Sequence, residues 1–222
     1  MTFSTLSRRT LLLTSAGTAA FAATGVFSSA FAQKKADAPV SADELMKPGD
    51  LPDLVLGKAD APCTIVEYAS MTCSHCGHFH NTVFDQIKTK YIDTGKVRFI
   101  MREFPLDTLA VAASMLTRCV GGDKSVPLVG VFFAKQEEWA FQRANQIPEL
   151  FKIAQQAGFT KETFDKCLTD QPLYDKIVVG RERATKSFGV DSTPTFFING
   201  KKLKDGPTIE AFDKAIAEVI KS

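Results

Sequence analysis

Cys73-Ser74-His75-Cys76 sets two thiols three positions apart with a histidine between them. The thiolate, not the thiol, is the reactive form of cysteine, and a C-x-x-C pair exchanges disulfides when one member is acidic. The motif follows an apolar, β-prone run, Thr64-Ile65-Val66-Glu67-Tyr68-Ala69. It opens a stretch with helical periodicity at Phe79, Val83, Phe84, Ile87 and Tyr91. Cys73 is therefore expected at a helix N-terminus, where free backbone N–H groups and the positive end of the dipole favour a negative sulfur. A protonated His75 would add a second positive charge. Both effects stabilise the dithiol and make the disulfide a stronger oxidant. Cys76, one turn deeper on the same face, is expected to be the shielded, resolving thiol.

Other chemistries compete for the same residues. His78 and His80 would complete Cys-x2-Cys-x-His-x-His as a zinc site. Structural zinc sites draw their second ligand pair from a separate element, however, and these two histidines cannot both face the cysteines on a helix. They read instead as a solvated helix face. Covalent haem attachment needs a histidine directly after the second cysteine, where Gly77 stands. A purely structural 73–76 disulfide would close too small a loop to contribute much entropy. No metal or cofactor is expected.

Two further features bear on the pair. A proline just before a strand, as in Asp191-Ser192-Thr193-Pro194-Thr195-Phe196-Phe197, is usually only a strand start. A cis bond there, beside Cys73, would instead leave the Thr193 backbone free to pair with an extended substrate strand. Glu67 lies on the strand six residues before Cys73. It either faces solvent or is buried beneath the motif, with a raised pKa, to take a proton from Cys76.

The elements that position these residues follow from periodicity and breakers. Residues 33–53 are polar and proline-interrupted, an extended lead-in with a short helix from Ser41, whose Ser-x-x-Glu44 spacing fits a capping box. Leu54-Val55-Leu56 is a candidate edge strand, 64–69 a strand and 74–91 a helix. Residues 97–104 alternate apolar and polar as a strand should. Helices are expected over 107–120, 124–138, 147–157, 161–169 and 173–188. Their breaks are Gly121-Gly122, Pro148 as an opener, Gly158, Pro172 and a C-terminal cap at Gly189. Phe196-Phe197-Ile198 then runs into an Asn199-Gly200 hairpin turn, and a last amphipathic helix spans about 209–220. The order is βαβ, a helical block, then ββα.

Residues 1–32 read as an export signal. Arg8-Arg9 precede an uncharged segment from Leu11 to Phe31, and Ala30-Phe31-Ala32 fits a cleavage site before Gln33. Ser7-Arg8-Arg9-Thr10-Leu11-Leu12 partly matches a twin-arginine signal, so the export route stays open. An uncleaved anchor is the alternative, although the segment is only weakly apolar. Without these residues the chain has 25 basic and 25 acidic side chains. That balance gives no reason to expect nucleic acid or an anionic membrane surface as partner. Export implies an oxidising compartment, and the five cysteines (63, 73, 76, 119 and 167) leave at least one thiol unpaired.

Four matches together resemble the thioredoxin superfamily, specifically the exported DsbA-like thiol-disulfide oxidoreductases. They are the strand–Cys73-Ser74-His75-Cys76–helix arrangement, the acid at Glu67, Thr193-Pro194 before a Phe-rich strand, and a helical insertion in a βαβ…ββα order. The similarity covers roughly residues 54–222. It implies an α/β thioredoxin fold with first part 54–105, an inserted helical domain over 106–175 and second part 176–222. It implies a cis Pro194, with Thr193 in substrate binding, and proton transfer by Glu67. The activity implied is disulfide formation in reduced exported proteins in the periplasm, by a monomer that a DsbB-like membrane thiol oxidase reoxidises. A reductase or isomerase, or a non-catalytic chaperone-like or metal-binding module, is the alternative. Ser-His between the cysteines, rather than Pro-His, and Thr before the proline, rather than Val, are positions that tune potential. Cys119 and Cys167 are either two buried free thiols or, as branches of the family suggest, a structural disulfide. Cys63 is left as a buried free thiol without a catalytic role.

Overall fold

Residues 63–69 and 97–103 fold as neighbouring strands at the centre of one sheet. The computed structural model describes residues 41–143 and 145–221; the expected export signal lies outside them. Strand β1 spans Leu54–Leu56, β2 Cys63–Ala69, β3 Val97–Glu103, β4 Thr195–Ile198 and β5 Lys201–Lys202, in the order β1-β3-β2-β4-β5. β2 and β3 run parallel and the other pairs antiparallel. Asn199 and Gly200 link β4 to β5 with φ of 44° and 83°, the left-handed pair that a two-residue hairpin needs. The Asn199 side chain also accepts from the Thr64 N–H at 2.7 Å, which ties the turn to β2.

Successive strand side chains alternate between faces. From β2, Val66 and Tyr68 point to one side. There they pack with Ile100, Phe104 and Phe197 against helix α1 (Ala42–Met46) and the end of α9 (Gln171–Phe188). Ile65 and Ala69 point to the other side, into the larger core. Phe99, Phe196 and Ile198 line that floor, and α2 (Ser74–Thr82), α3 (Phe84–Ile87) and α10 (Ile209–Ile220) roof it with Phe79, Ile87, Phe212 and Ile216. Glu67 shares the face of Ile65 and Ala69, so it lies beneath α2.

Between β3 and β4 every element is helical: α4 (Thr108–Cys119), α5 (Ser125–Ala134), α6 (Gln136–Trp139), α7 (Ile147–Gln156), α8 (Lys161–Leu168) and α9. Local chemistry sets their ends. Asp107 accepts from the Ala110 N–H, Asp170 from the Leu173 N–H, and Thr160 and Thr163 cap α8 reciprocally. Gly189 closes α9 in the left-handed region at φ 62°. A disulfide joins Cys119 at the end of α4 to Cys167 in α8, with Cα atoms 6.1 Å apart and a sequence separation of 48. Closing a loop of that size removes unfolded-state entropy corresponding to roughly 4 kcal/mol.

Several sequence expectations need correction. The helix over 74–91 is not continuous: α2 ends at Thr82, Val83 interrupts it with φ stretched to −111°, α3 follows, and a π-helical turn over Lys88–Ile92 swings Tyr91 and Ile92 inward. The helix over 124–138 breaks at Lys135 (φ −104°, ψ 16°), so that buried Trp139 folds back and donates from Nε1 to the Phe132 carbonyl at 2.8 Å. Pro172 does not separate helices but lies in the first turn of α9, where its missing N–H costs nothing. Only half of the capping box at Ser41 forms, because Glu44 pairs with Lys47 instead.

Residues 44–53, ahead of β1, are docked by arginines. Arg102 on β3 makes a two-pronged ion pair with Asp53 (2.7 and 2.9 Å) and donates to the Leu45 carbonyl and the Tyr68 hydroxyl. Arg118 holds Glu103 and the Pro52 carbonyl, and Arg183 holds the Glu44 and Lys47 carbonyls. Among the described residues, no helix is long and apolar enough to cross a membrane.

Candidate active site

β2 ends at Ala69, and a short turn over residues 70–72 delivers the chain into α2. Thr72 donates to Asp107 at 2.7 Å and Ser70 bonds Thr72, which pins the turn to the start of α4. Cys73 is the N-cap of α2, with extended backbone and no side-chain capping bond. The first-turn N–H groups are therefore unclaimed by a side-chain oxygen and available to the sulfur. From α6, the Gln136 amide donates to the carbonyls of Met71 (2.8 Å) and Cys73 (2.9 Å). Gly77 makes this possible, since a Cβ there would lie 2.3 Å from Gln136 Oε1. Facing the motif, the Thr193–Pro194 bond is cis, and the Cys73 thiol donates to the Thr193 carbonyl at 3.3 Å.

The two sulfurs differ sharply. Cys73 is 8% exposed and Cys76 0%, and both are free thiols. Cys73 is lowered from 9.0 to about 5, chiefly by a hydrogen bond from the Cys76 thiol. Burial opposes that shift, while the Thr193 side chain and the backbone N–H groups of Cys76 and His75 add to it. The Thr193 hydroxyl is buried and has no hydrogen-bond partner among the described residues, so its proton is available to the thiolate. Cys76 moves the other way, up, because it is buried, because it donates to Cys73, and because Glu67 sets a negative charge close by. His75 contributes through its backbone N–H; its imidazole stands in solvent.

Burial excludes the solvent-facing reading of Glu67, which is 0% exposed. Both carboxylate oxygens lie within hydrogen-bond reach of His80 Nε2, at 2.9 and 3.2 Å. His80 is thus no solvated surface residue: its side chain is 7% exposed, stacked on Phe133 with centroids 4.2 Å apart and in contact with Phe79 and Phe84. The reason is helical spacing. His80 follows Cys76 by four positions and shares the face of α2 that lies on the sheet, whereas His78 is exposed. That i+4 spacing above a carboxylate on the inward side of β2 was the available signal. Gln136 gave none. Among the described residues no group of three or more His, Cys, Asp or Glu is placed to hold a metal. Cys63, at the start of β2, is a buried free thiol that burial pushes up to about 11.

Comparison with known proteins agrees with this geometry. The thioredoxin family profile matches residues 50–218. The crystal structure of Wolbachia pipientis alpha-DsbA1 superposes with a TM-score of 0.74 at 33% identity, covering 81% of this chain and 96% of that one. A Rickettsia bellii protein named as a protein-disulfide oxidoreductase is 36% identical over 171 residues, covering 75% of this chain and 65% of the relative. A Rickettsia typhi protein of the same naming is 32% identical, with 77% and 64% covered. The chain thus spans just under two thirds of the length of these two curated relatives. Oxidised BdbD from Bacillus subtilis shares the fold with a TM-score of 0.67 at 23% identity. The chain belongs to the thioredoxin family, in its DsbA-like group.

Proposed function

We propose that the protein is a thiol-disulfide oxidoreductase that passes a Cys73–Cys76 disulfide to reduced exported proteins. The observation that carries this reading is the split between the two thiols, with Cys73 lowered to about 5 and Cys76 held far above the usual thiol range. A dithiol whose outer sulfur is an ionised, well-solvated-by-donors thiolate is stabilised against its disulfide, so the disulfide is an oxidant.

The exchange runs in two steps. A substrate thiolate attacks Cys73 Sγ, the Cys73–Cys76 bond breaks, and the Cys76 sulfur leaves and takes a proton that reaches it by way of Glu67. A second substrate thiolate attacks the substrate sulfur of the mixed disulfide, and Cys73 leaves as thiolate. The substrate gains a disulfide and the protein gains two electrons. Cys73, at the protein surface edge of the pair, meets substrate while Cys76 is shielded. Thr193, beside the Cys73 sulfur, offers the backbone against which an extended substrate strand aligns. A membrane thiol oxidase then restores the disulfide.

The Cys119–Cys167 disulfide supports work in an oxidising space outside the cytoplasm. The protein acts there as a monomer, its thioredoxin-like part (54–105 and 176–222) carrying the chemistry and the helical insertion (106–175) bracing it through Gln136.

Equilibration in glutathione buffers tests the direction of exchange. We expect a potential well above the roughly −270 mV of thioredoxin; a value near thioredoxin's would make the protein a reductase. Activity retained by Cys73→Ser in peptide oxidation would replace both with a non-catalytic role.

A further inference from the structure

His80 is the one buried histidine beside the redox pair, and the disulfide exchange described so far does not use it. Glu67 cannot trade protons with water directly, because it is fully buried. Its strand neighbours across the sheet are Met101 on β3 and Phe196 on β4, neither of which carries a proton. On the side of α2, the Glu67 carboxylate meets His80 Nε2 through both oxygens. The His80 ring in turn lines a groove of about 280 Å³ that opens to solvent between α2–α3 and α5, with Asn81, Asp85, Val126, Val129 and Gly130 among its walls. The groove is continuous with β1 and β3 through Leu54, Leu56 and Phe99. Stacking on Phe133 fixes the ring in place.

We propose that His80 is the proton conductor of the site, linking Glu67 to water in that groove while Cys76 changes its protonation state. This rests on the reading of Cys73 and Cys76 as an exchanging pair. When the mixed disulfide on Cys73 is resolved from within, Cys76 gives its proton to the Glu67–His80 pair. Its sulfur attacks Cys73 Sγ, the bond from Cys73 to the substrate sulfur breaks, and the substrate leaves as thiolate. The pair then releases the proton from the imidazole to groove water. In the oxidising direction the same atoms move in reverse, and the departing Cys76 sulfur is protonated through the pair. A carboxylate alone in an apolar pocket has no such exit; an imidazole has two nitrogens, one for the carboxylate and one for water.

The titratable groups that bear on His80 are Glu67 on β2, Cys76 on its own helix and Asp85 on the groove wall of α3. From α5 it meets Phe133 and from α3 Phe84, neither of which titrates.

The test is stopped-flow resolution of a Cys73–peptide mixed disulfide, in full-length wild-type protein and in His80→Gln. Glutamine keeps an amide to hydrogen-bond Glu67 but cannot conduct a proton. We expect resolution at pH 7 to slow roughly 100-fold, within the range for a general acid–base group, and to lose its solvent isotope effect on the chemical step. Free imidazole at tens of millimolar should restore much of the rate, while the Cys73 thiolate titration stays where it is. A variant with the wild-type rate and pH profile overturns the proposal. So does a slowing that imidazole leaves untouched and that follows a loss of thermal stability, which would make His80 a packing residue only. The solvent isotope effect on wild-type protein is an independent reading, and its absence also counts against the relay. Wild-type protein that never forms or resolves the mixed disulfide would instead remove the underlying exchange reading.

Discussion

The Cys73 sulfur lies 3.3 Å from the carbonyl oxygen of Thr193, a residue 120 positions away in the chain. The contact joins the N-terminus of α2 to the turn before β4, which are brought together because β2 and β4 are neighbours in the sheet. A neutral thiol donates to that carbonyl; a thiolate cannot. Ionisation therefore shifts the sulfur's partners from the carbonyl to the donors around it: the Cys76 thiol, the Thr193 hydroxyl and the α2 backbone N–H groups.

The Thr193 hydroxyl is the donor most easily removed. Thr193→Val keeps the shape of the side chain and deletes a buried hydroxyl that satisfies nothing else, so the fold should lose little stability. The thiolate should lose a charge-assisted hydrogen bond, raising the Cys73 midpoint by about one to two pH units. Absorbance of the reduced protein at 240 nm against pH reports this directly. The wild-type midpoint is expected at about 5, with the variant higher and its disulfide a weaker oxidant. Identical midpoints would show that the hydroxyl does not reach the sulfur.

What could be read from the chain beforehand was local. The Cys73–Cys76 spacing, the alternation at 97–104, the Asn199-Gly200 turn and the Gly189 cap each follow from a few adjacent side chains. What could not be read depends on which face meets which. Glu67 is buried because its parity on β2 matches Ile65 and Ala69, and that parity has meaning only once α2 is known to roof that side. His80 pairs with Glu67 for the same reason. Arg102, Arg118 and Arg183 reach carbonyls and carboxylates up to 139 positions away, and no periodicity announces such partners. Gln136 looks like any polar residue of an amphipathic helix until Met71 and Cys73 turn their carbonyls toward it.

Reduced protein should gain stability over oxidised protein between about pH 5 and pH 9. In the fold Cys73 loses its proton at about 5, and in the unfolded chain near 9.0. Between those values the unfolded dithiol binds more protons than the folded one, so the stability of the reduced form rises with pH. The contribution is absent below about 5, fully present above 9, and lost again as pH falls. Cys76 has the opposite sign: its thiol is raised in the fold, so its contribution holds below 9 and is lost above it. In the disulfide form neither sulfur titrates, and Cys63, raised to about 11, is common to both forms and cancels. Urea unfolding of each form across pH 4 to 10 should show the difference climb and then turn down. A flat difference between pH 5 and 8 would contradict an acidic Cys73.

Gly77 and Gln136 should be energetically coupled, with a change of sign. A methyl group at position 77 would sit 2.3 Å from Gln136 Oε1, so Gly77→Ala must push the amide off the Met71 and Cys73 carbonyls. Those carbonyls are buried, and leaving them without a donor costs about 1–3 kcal/mol. Gln136→Ala removes the same two bonds and should cost a similar amount. In the Gln136→Ala background, however, nothing remains for the methyl group to strike. There the ordinary preference of a helix interior for alanine over glycine takes over, and Gly77→Ala should stabilise by roughly 0.5–1 kcal/mol. Urea unfolding of the two single variants and the double variant measures the coupling as a double-mutant cycle. Simple additivity would mean that Gln136 does not brace the motif. A sign change would identify α6 as the strut by which the helical insertion holds the redox loop.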